Sequence, residues 1–595
     1  MLAVQPEALW TFLSDTDSLN RAIDLPTVKF TPVADPKEKG HFVAETKMLG
    51  TRVAYDEFPF DWVAPRFYTV ERRFPGGPIA ELRCGIRLAP DPGGTELQVF
   101  ADVIPRSWVG SVVSWIQLRK KATESVVELA QAFERWTKEP EKELPPSPPP
   151  AGALHRDALE ARLGELKAAG PVAKLRRHLE TASDLEVVQM RPFLLADRWG
   201  EDRMQVLRLF LTATKAGLLD LCWSVLCPTC RVPNQTMATL SQMRSKAHCE
   251  TCGVRYGADF AASVEARFAV NAAVREARKQ VYCIGGPANT PEIAAQLRLA
   301  PGSTRREEIS LRPGPYRVRC YQVPGIVSIE VAPSGAGTMA VRCDPGGVEV
   351  AAGPFRAGGM VLEASNPLGR EALLVVERES WREGAATAAL VTSLQDFRDQ
   401  FPGEAVAPGE EIGIASLTVL FTDLKESTEL YRRLGDAKAF AFVQNHFRYL
   451  MEKVSAHRGG MVKTMGDAIM ATFAAPKDGL AAALEMQRHW ARFRTEHGDP
   501  PGVELKVGVH QGPAIAINNA GRLDYFGTTV NMAARVQAQS LGRDLVFTRE
   551  VGEDPGGAAL LRESGLEGEE FQTALKGLDG EHALRRVWPA GRTPG

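Results

Sequence analysis

The spacing of apolar and polar positions changes several times along the chain, and each change marks a block. Residues 6–13 place apolar side chains at helical intervals. Strand-like runs follow at 41–49, 51–58, 66–74, 79–89 and 95–104, and a longer helical pattern over 108–136 closes a first block, 1–138. Residues 139–152 contain EPEKELPPSPPP, a composition that favours extended polyproline II over helix or sheet and reads as a linker. The middle block, 153–400, starts with helical spacing at 154–182 and 204–217 and becomes strand-rich from Val264 onward, with turns such as Arg312-Pro313-Gly314. FPGEAVAPGEE, at 401–411, then breaks the pattern ahead of a last block, 412–590.

The last block is the most regular. Residues 416–422, SLTVLFT, read as a buried central strand ending at Asp423. An amphipathic helix over 436–458 stops at Gly459-Gly460. MVKTMGDAIMATF, 461–473, reads as a hairpin with Gly466-Asp467 at its tip; a helix (478–497) and a strand (503–510) follow. The order β-α-β-β-α-β suits a ferredoxin-like sheet, which makes the expected fold class multidomain α+β. In that topology the end of the first strand and the hairpin tip are neighbours, so Asp423 and Asp467 converge. Two carboxylates beside a strand-to-helix turn suit a pair of divalent ions holding a triphosphate. Taken singly, each aspartate is explained by a cap or a turn; the joint occurrence of FTD and KTMGD points to the metal.

FTDLKEST, VKTMGDAIMATF, VGVHQGP and LDYFGTTVNMAAR stand in this order and resemble the successive motifs of class III adenylyl cyclases. The resemblance implies that Asp423 and Asp467 bind two Mg2+ or Mn2+ ions per site, and that Lys463 and Asp524 read adenine. Asn531 and Arg535 fall on the family's transition-state pair, one helical turn apart on a shared face. Lys576, in ALKGLDG, falls on a lysine that contacts the terminal phosphates, and Lys506 stands where the family often has a triphosphate-binding arginine, keeping the charge without the bidentate fork. Guanylyl cyclases carry Glu and Cys-type residues in place of Lys463 and Asp524, so the resemblance implies conversion of ATP to 3′,5′-cyclic AMP and pyrophosphate. The family's two motif sets face each other across a dimer; one chain holding both implies a head-to-tail homodimer. The competing reading is a catalytically silent regulatory or ligand-binding scaffold, which would be expected to have lost a metal aspartate or the N-x-x-x-R pair. Residues 514–521 receive no role.

In the first block, a helix, a run of strands and a closing helix, with ALWTFLSDTDSLNRAIDLP at the start, resemble the START-like helix-grip group. That group often holds an apolar small molecule between sheet and helix. It also normally opens with a strand, for which Met1–Val4 leaves little chain. The sequence from Leu218 through the β-rich part resembles an uncharacterised domain that precedes cyclase domains in bacterial proteins, which implies an architecture and no activity.

Cys227-Pro-Thr-Cys230 and Cys249-Glu-Thr-Cys252 have the spacing of a zinc ribbon. Two such knuckles complete a closed tetrahedral thiolate shell, a structural Zn2+ site without an open position; His248 is adjacent as a substitute ligand. A redox pair and a nucleic-acid contact are the other readings of the motif, and RVPNQTMATLSQMRSKAH carries little basic charge for the latter.

Composition adds exclusions. The chain has 595 residues, too many for one core, with 44% apolar and 24% charged residues. A net charge of -2 leaves no electrostatic footprint for nucleic acid. Nine cysteines, an odd number, argue against a disulfide framework. MLAVQPEALW is no signal peptide, and no run approaches the roughly 18 apolar residues of a membrane span. The expectation is a cytoplasmic protein.

Overall fold

The computed structural model describes residues 1–33, 41–48, 51–107, 123–138, 153–166, 170–228, 233–249, 254–277, 281–379, 384–498, 500, 502–566 and 568–591. The proline-rich stretch 139–152, residues 108–122 of the expected closing helix, and Cys230 and Cys252 lie outside them.

Among the described residues the first block folds as two helices, Pro6–Leu13 and Thr16–Ala22, seven strands from Val28–Pro32 to Gly94–Pro105, and the helix Thr123–Lys138. Residues too few for a strand still pair at the start: Leu2 and Thr95 exchange backbone hydrogen bonds of 2.9 and 2.8 Å. Phe12 stacks on Phe133 at 4.5 Å, so apolar side chains of the first and last helices touch. A cavity of about 400 Å³ does border this block, between its sheet and Arg305 and Glu307 of the next. Its wall includes Asp61, Arg66, Arg83, Arg87 and Glu96, charged rather than apolar.

The first sheet does not end with the first block. Strand Asp61–Val63 pairs with Ile293–Leu299, Trp62 opposite Gln296 and Val63 opposite Ala295. Through that strand the sheet runs on into Ala372–Arg378, Gly314–Cys320, Ile326–Ala332 and Phe355–Arg356, twelve strands in all. A second, four-stranded sheet (Ser303–Leu311, Gly358–Asn366, Thr338–Asp344, Gly347–Val350) faces the later strands over Ile309, Val318, Val341, Leu362 and Val376. Arginines fasten the junction: Arg298 bonds Glu71 and Glu371, each at 2.9 Å, and Arg305 reaches Asp61 at 2.8 Å.

Between first block and sandwich in sequence lies a helical unit. The single helical run expected at 154–182 is two helices, Arg156–Gly164 and Gly170–Thr181; Asp184–Val188, Pro192–Trp199 and Arg203–Lys215 follow. They pack on a three-stranded sheet whose middle strand, Leu219–Leu226, leads into Cys227. Cys227 and Cys249 are fully buried and share a small cluster with Val254, Tyr256 and Tyr321.

The last block has the expected element order with longer strands. Strand Ile412–Lys425 is followed by helices Ser427–Leu434 and Asp436–Ala456, hairpin strands Gly460–Met465 and Ala468–Phe473, helix Pro476–Glu496 and strand Glu504–Asn519. Their antiparallel order in the sheet is second hairpin partner inward: Gly460–Met465, Ala468–Phe473, Ile412–Lys425, Glu504–Asn519, the ferredoxin-like arrangement. Alternation along the first strand decides the two faces. Leu420 and Leu424 pack under the two long helices with Phe442, Leu450, Trp490 and Phe493. Leu417, Val419 and Phe421 join a core shared with Trp223, Phe260, Phe397 and Val406 of the upstream unit. No helix among the described residues is long and apolar enough to cross a membrane.

Candidate functional site

Asp423 lies four residues before Ser427, where the first helix of the block starts, and Asp467 lies in the hairpin turn. Gly466 takes φ +66 there, a left-handed turn position that glycine occupies without strain. The turn folds back on the first strand: Leu424 N–H donates to Asp467 Oδ2 at 3.2 Å, and Ile469 N–H donates to Thr422 Oγ1 at 3.3 Å. Burial pushes the Asp423 carboxyl up, the charge of Asp467 adds to this, and Lys506 opposes it. Lys506 stands directly across the ladder from Asp423. The structure thus brings Asp423, Asp467 and Lys506 together. Beneath them His446 of the long helix is fully buried, its ring against Trp490 at 5.5 Å and near the backbone of Asp467. Burial pushes the imidazole down to about 3, so it is neutral at pH 7.

A second pair forms on the edge of the sheet. Lys463 Nζ donates to Asp524 Oδ2 at 2.6 Å; Asn519 Nδ2 donates to the same oxygen at 2.9 Å, and Tyr525 N–H to Oδ1 at 2.8 Å. Burial alone would raise the Asp524 carboxyl, but these three donors outweigh it and hold it below the usual range. Asn519 lies in the segment given no role from sequence: INNAG reads as a turn, and nothing local shows where a turn amide points.

The third group is solvent-facing. Asn531 and Arg535 are exposed on helix Thr528–Ala538. That helix lies directly on strand Glu504–Asn519, because a Cβ at Gly508 would meet Gln537 N at 2.2 Å. Leu575 packs with Val536 beside Met532, which brings the exposed Lys576 next to the same helix. No hydrogen bond or ion pair among the described residues engages the side chains of Asn531, Arg535 or Lys576, and none links the three groups to one another.

Of the four cysteines expected to bind zinc, Cys227 and Cys249 are described. No group of three or more metal-ligating side chains occurs among the described residues.

Residues 412–554 match the family model of the adenylate and guanylate cyclase catalytic domain, so the chain carries that domain. Residues 156–280 match a family of unknown function, DUF5939. That match begins at the helices, ahead of Leu218, and ends before the β-sandwich. The chain is 26% identical over 228 residues to an adenylate cyclase of Mycosarcoma maydis, covering 32% of this chain and 9% of that one. It is 29% identical over 136 residues to the receptor-type guanylate cyclase gcy-8 of Caenorhabditis elegans, covering 21% and 12%. The adenylyl cyclase CyaB from P. aeruginosa has a solved structure with 22% identity and a TM-score of 0.27, covering 31% of this chain and 100% of that one. The chain therefore spans about a tenth of the length of the two curated relatives named here.

Proposed function

We propose that the chain is an adenylate cyclase, converting ATP to 3′,5′-cyclic AMP and pyrophosphate at sites composed by a homodimer. The observation that carries this reading is the contact of Lys463 with Asp524. Asp524 Oδ2 is filled by two donors, while Oδ1 receives only Tyr525 N–H and keeps a lone pair for the adenine amino group. Lys463 spends one of three N–H donors on Asp524 and can give another to the ring nitrogen. Guanine offers the opposite polarity at both places.

The donor set beside them fits divalent ions: two carboxylates crowd at one strand end, and burial, with the charge of Asp467 added, makes Asp423 resist ionising. Asp423 and Asp467 would hold the metals, which supply acidification of the ribose 3′-hydroxyl and charge neutralisation on the leaving pyrophosphate. Lys506 adds positive charge on the same side. Asn531 orients the ribose, Arg535 meets charge developing at the α-phosphorus, and Lys576 holds the terminal phosphates. That these three engage no partner among the described residues supports their use across a dimer, against the aspartates of the other protomer.

The upstream portion is assigned to control. We read 1–138 as a START-like domain, 139–152 as its linker and 153–400 as a regulatory region with a structural zinc at Cys227, Cys230, Cys249 and Cys252. Purified protein with ATP or GTP and Mg2+ or Mn2+ tests the enzyme: cyclic AMP formation in preference to cyclic GMP is expected, and no cyclic product with either metal refutes it.

A further inference from the structure

The segment between the upstream unit and the cyclase domain contains two short helices, Ala388–Ser393 and Gln395–Gln400. Thr392, Ser393 and Gln395 are buried and Arg398 is half-buried. Gln395 accepts from Met461 N–H at 2.8 Å while its own N–H donates to Gly459 O at 3.0 Å, fixing the strand that carries Lys463 two residues later. Arg398 Nη1 donates to Leu523 O at 3.3 Å, and its guanidinium lies 5.3 Å from the centre of the Tyr525 ring. Tyr525 Oη donates to Thr392 Oγ1 at 3.1 Å. Leu523 and Tyr525 are the two neighbours of Asp524. Further on, Val406 O accepts from Asn518 Nδ2 at 2.8 Å, and the next residue, Asn519, is the one that holds Asp524.

Apart from the Gly459 bond, each of these contacts lands within two residues of Lys463, Asp524 or Asn519. The approach is close: a Cβ at Gly460 would meet Ser393 O at 2.6 Å and Arg398 Cδ at 2.9 Å. On its other side the segment is rooted in the 156–280 region, with Phe397 against Trp223 at 5.9 Å and Arg208 paired to Asp396 at 3.1 Å. The docking is not saturated, since Arg398 Nε and Nη2 are buried without an acceptor. Unmet donors weaken the seat, which keeps it within reach of a modest opposing signal.

Resting on the function proposed above, we infer that these helices act as a positioning clasp for the purine-reading pair. Gln395, Arg398 and Thr392 set the separation of the two strand segments that present Lys463 and Asp524, and through Trp223 and Arg208 the 156–280 region tunes nucleotide affinity and purine choice. None of the three touches substrate, so they are positioning residues.

The test uses the full chain with Arg398→Ala, Gln395→Ala and Arg398→Lys, at protein concentrations that saturate activity. Steady-state rates with ATP and GTP and a binding titration with a ribose-labelled fluorescent ATP are both read. Each alanine variant is expected to raise KM for ATP about 5- to 30-fold, with kcat within about 3-fold of the parent and a narrower ATP-over-GTP preference. Arg398→Lys restores most of the loss, because an ammonium can reach both the carbonyl and the ring. Unchanged KM and purine preference in both alanine variants, or a lower kcat alone that follows the folded fraction, overturns the clasp. If the parent protein forms no cyclic product, the enzymatic reading falls; the titration then decides the clasp, weaker labelled-ATP binding in the variants supporting it and equal binding overturning it.

Discussion

Lys463 and Asp524 meet at 2.6 Å although 61 residues separate them, and the carboxylate oxygen they share also receives Asn519. Removing either partner should therefore unbalance more than one bond. K463E combined with D524C is expected to lower ATP turnover about 10- to 100-fold, the cost of one to two mismatched hydrogen bonds, and to raise formation of cyclic GMP. Product analysis by chromatography with each nucleotide checks this; an unchanged ATP preference would remove the pair from purine reading.

Asp467→Ala should abolish turnover while costing only about 1 kcal/mol of stability through the lost Leu424 N–H bond. Arg535→Ala should also be inactive, with no measurable change in thermal midpoint, since its exposed side chain has no partner among the described residues. Mixing the two inactive proteins is expected to restore activity, because one site of each heterodimer regains both sets. A mixture that stays silent while exchanging subunits argues against the composite site.

His446 gives the fold a defined acid sensitivity. Its folded value of about 3 lies below the ordinary 6.5, so the unfolded chain binds the proton more tightly across that interval. The stabilisation is complete above pH 6.5 and is lost progressively as pH falls towards 3. Between pH 6.5 and 5 this side chain should account for a loss of about 2 kcal/mol. His446→Phe, placed among Phe447, Trp490 and Phe493, should flatten that slope in urea melts at the two pH values; parallel slopes in parent and variant would contradict it.

Gly508→Ala is expected to destabilise the domain by about 1–3 kcal/mol, because the methyl would push the Asn531–Arg535 helix off its strand. The rate should fall further than the loss of folded protein accounts for. Comparing circular dichroism melts with kcat separates the two effects.

The catalytic block was legible because its signals are local. VKTMGD announces a turn and its carboxylate together, and N-x-x-x-R fixes a helix face. What escaped were relations between distant segments. Asn519 is an unremarkable turn residue until Asp524 is placed beside it. Gln395 and Arg398 belong to no local motif, and only the docked sheet gives them their partners. The sheet joining Trp62 to Gln296 left no trace in the alternation of either strand, since a buried strand carries the same pattern whichever partner it finds. The ends of the long strands were missed for a related reason: Glu504–Asn519 continues past His510 because Arg522–Phe526 and the upstream core give its outer half something to pair with and lie on.

That shared sheet has a practical meaning for dissection of the protein. A fragment starting after the proline-rich stretch would strip strand Ile293–Leu299 of the Asp61–Val63 pairing and leave an open β-edge, flanked by Arg298 without Glu71 and Arg305 without Asp61. Bare edges recruit other chains. Such a fragment should tend to clump, and regulation studied on it would reflect a severed ribbon rather than the native chain.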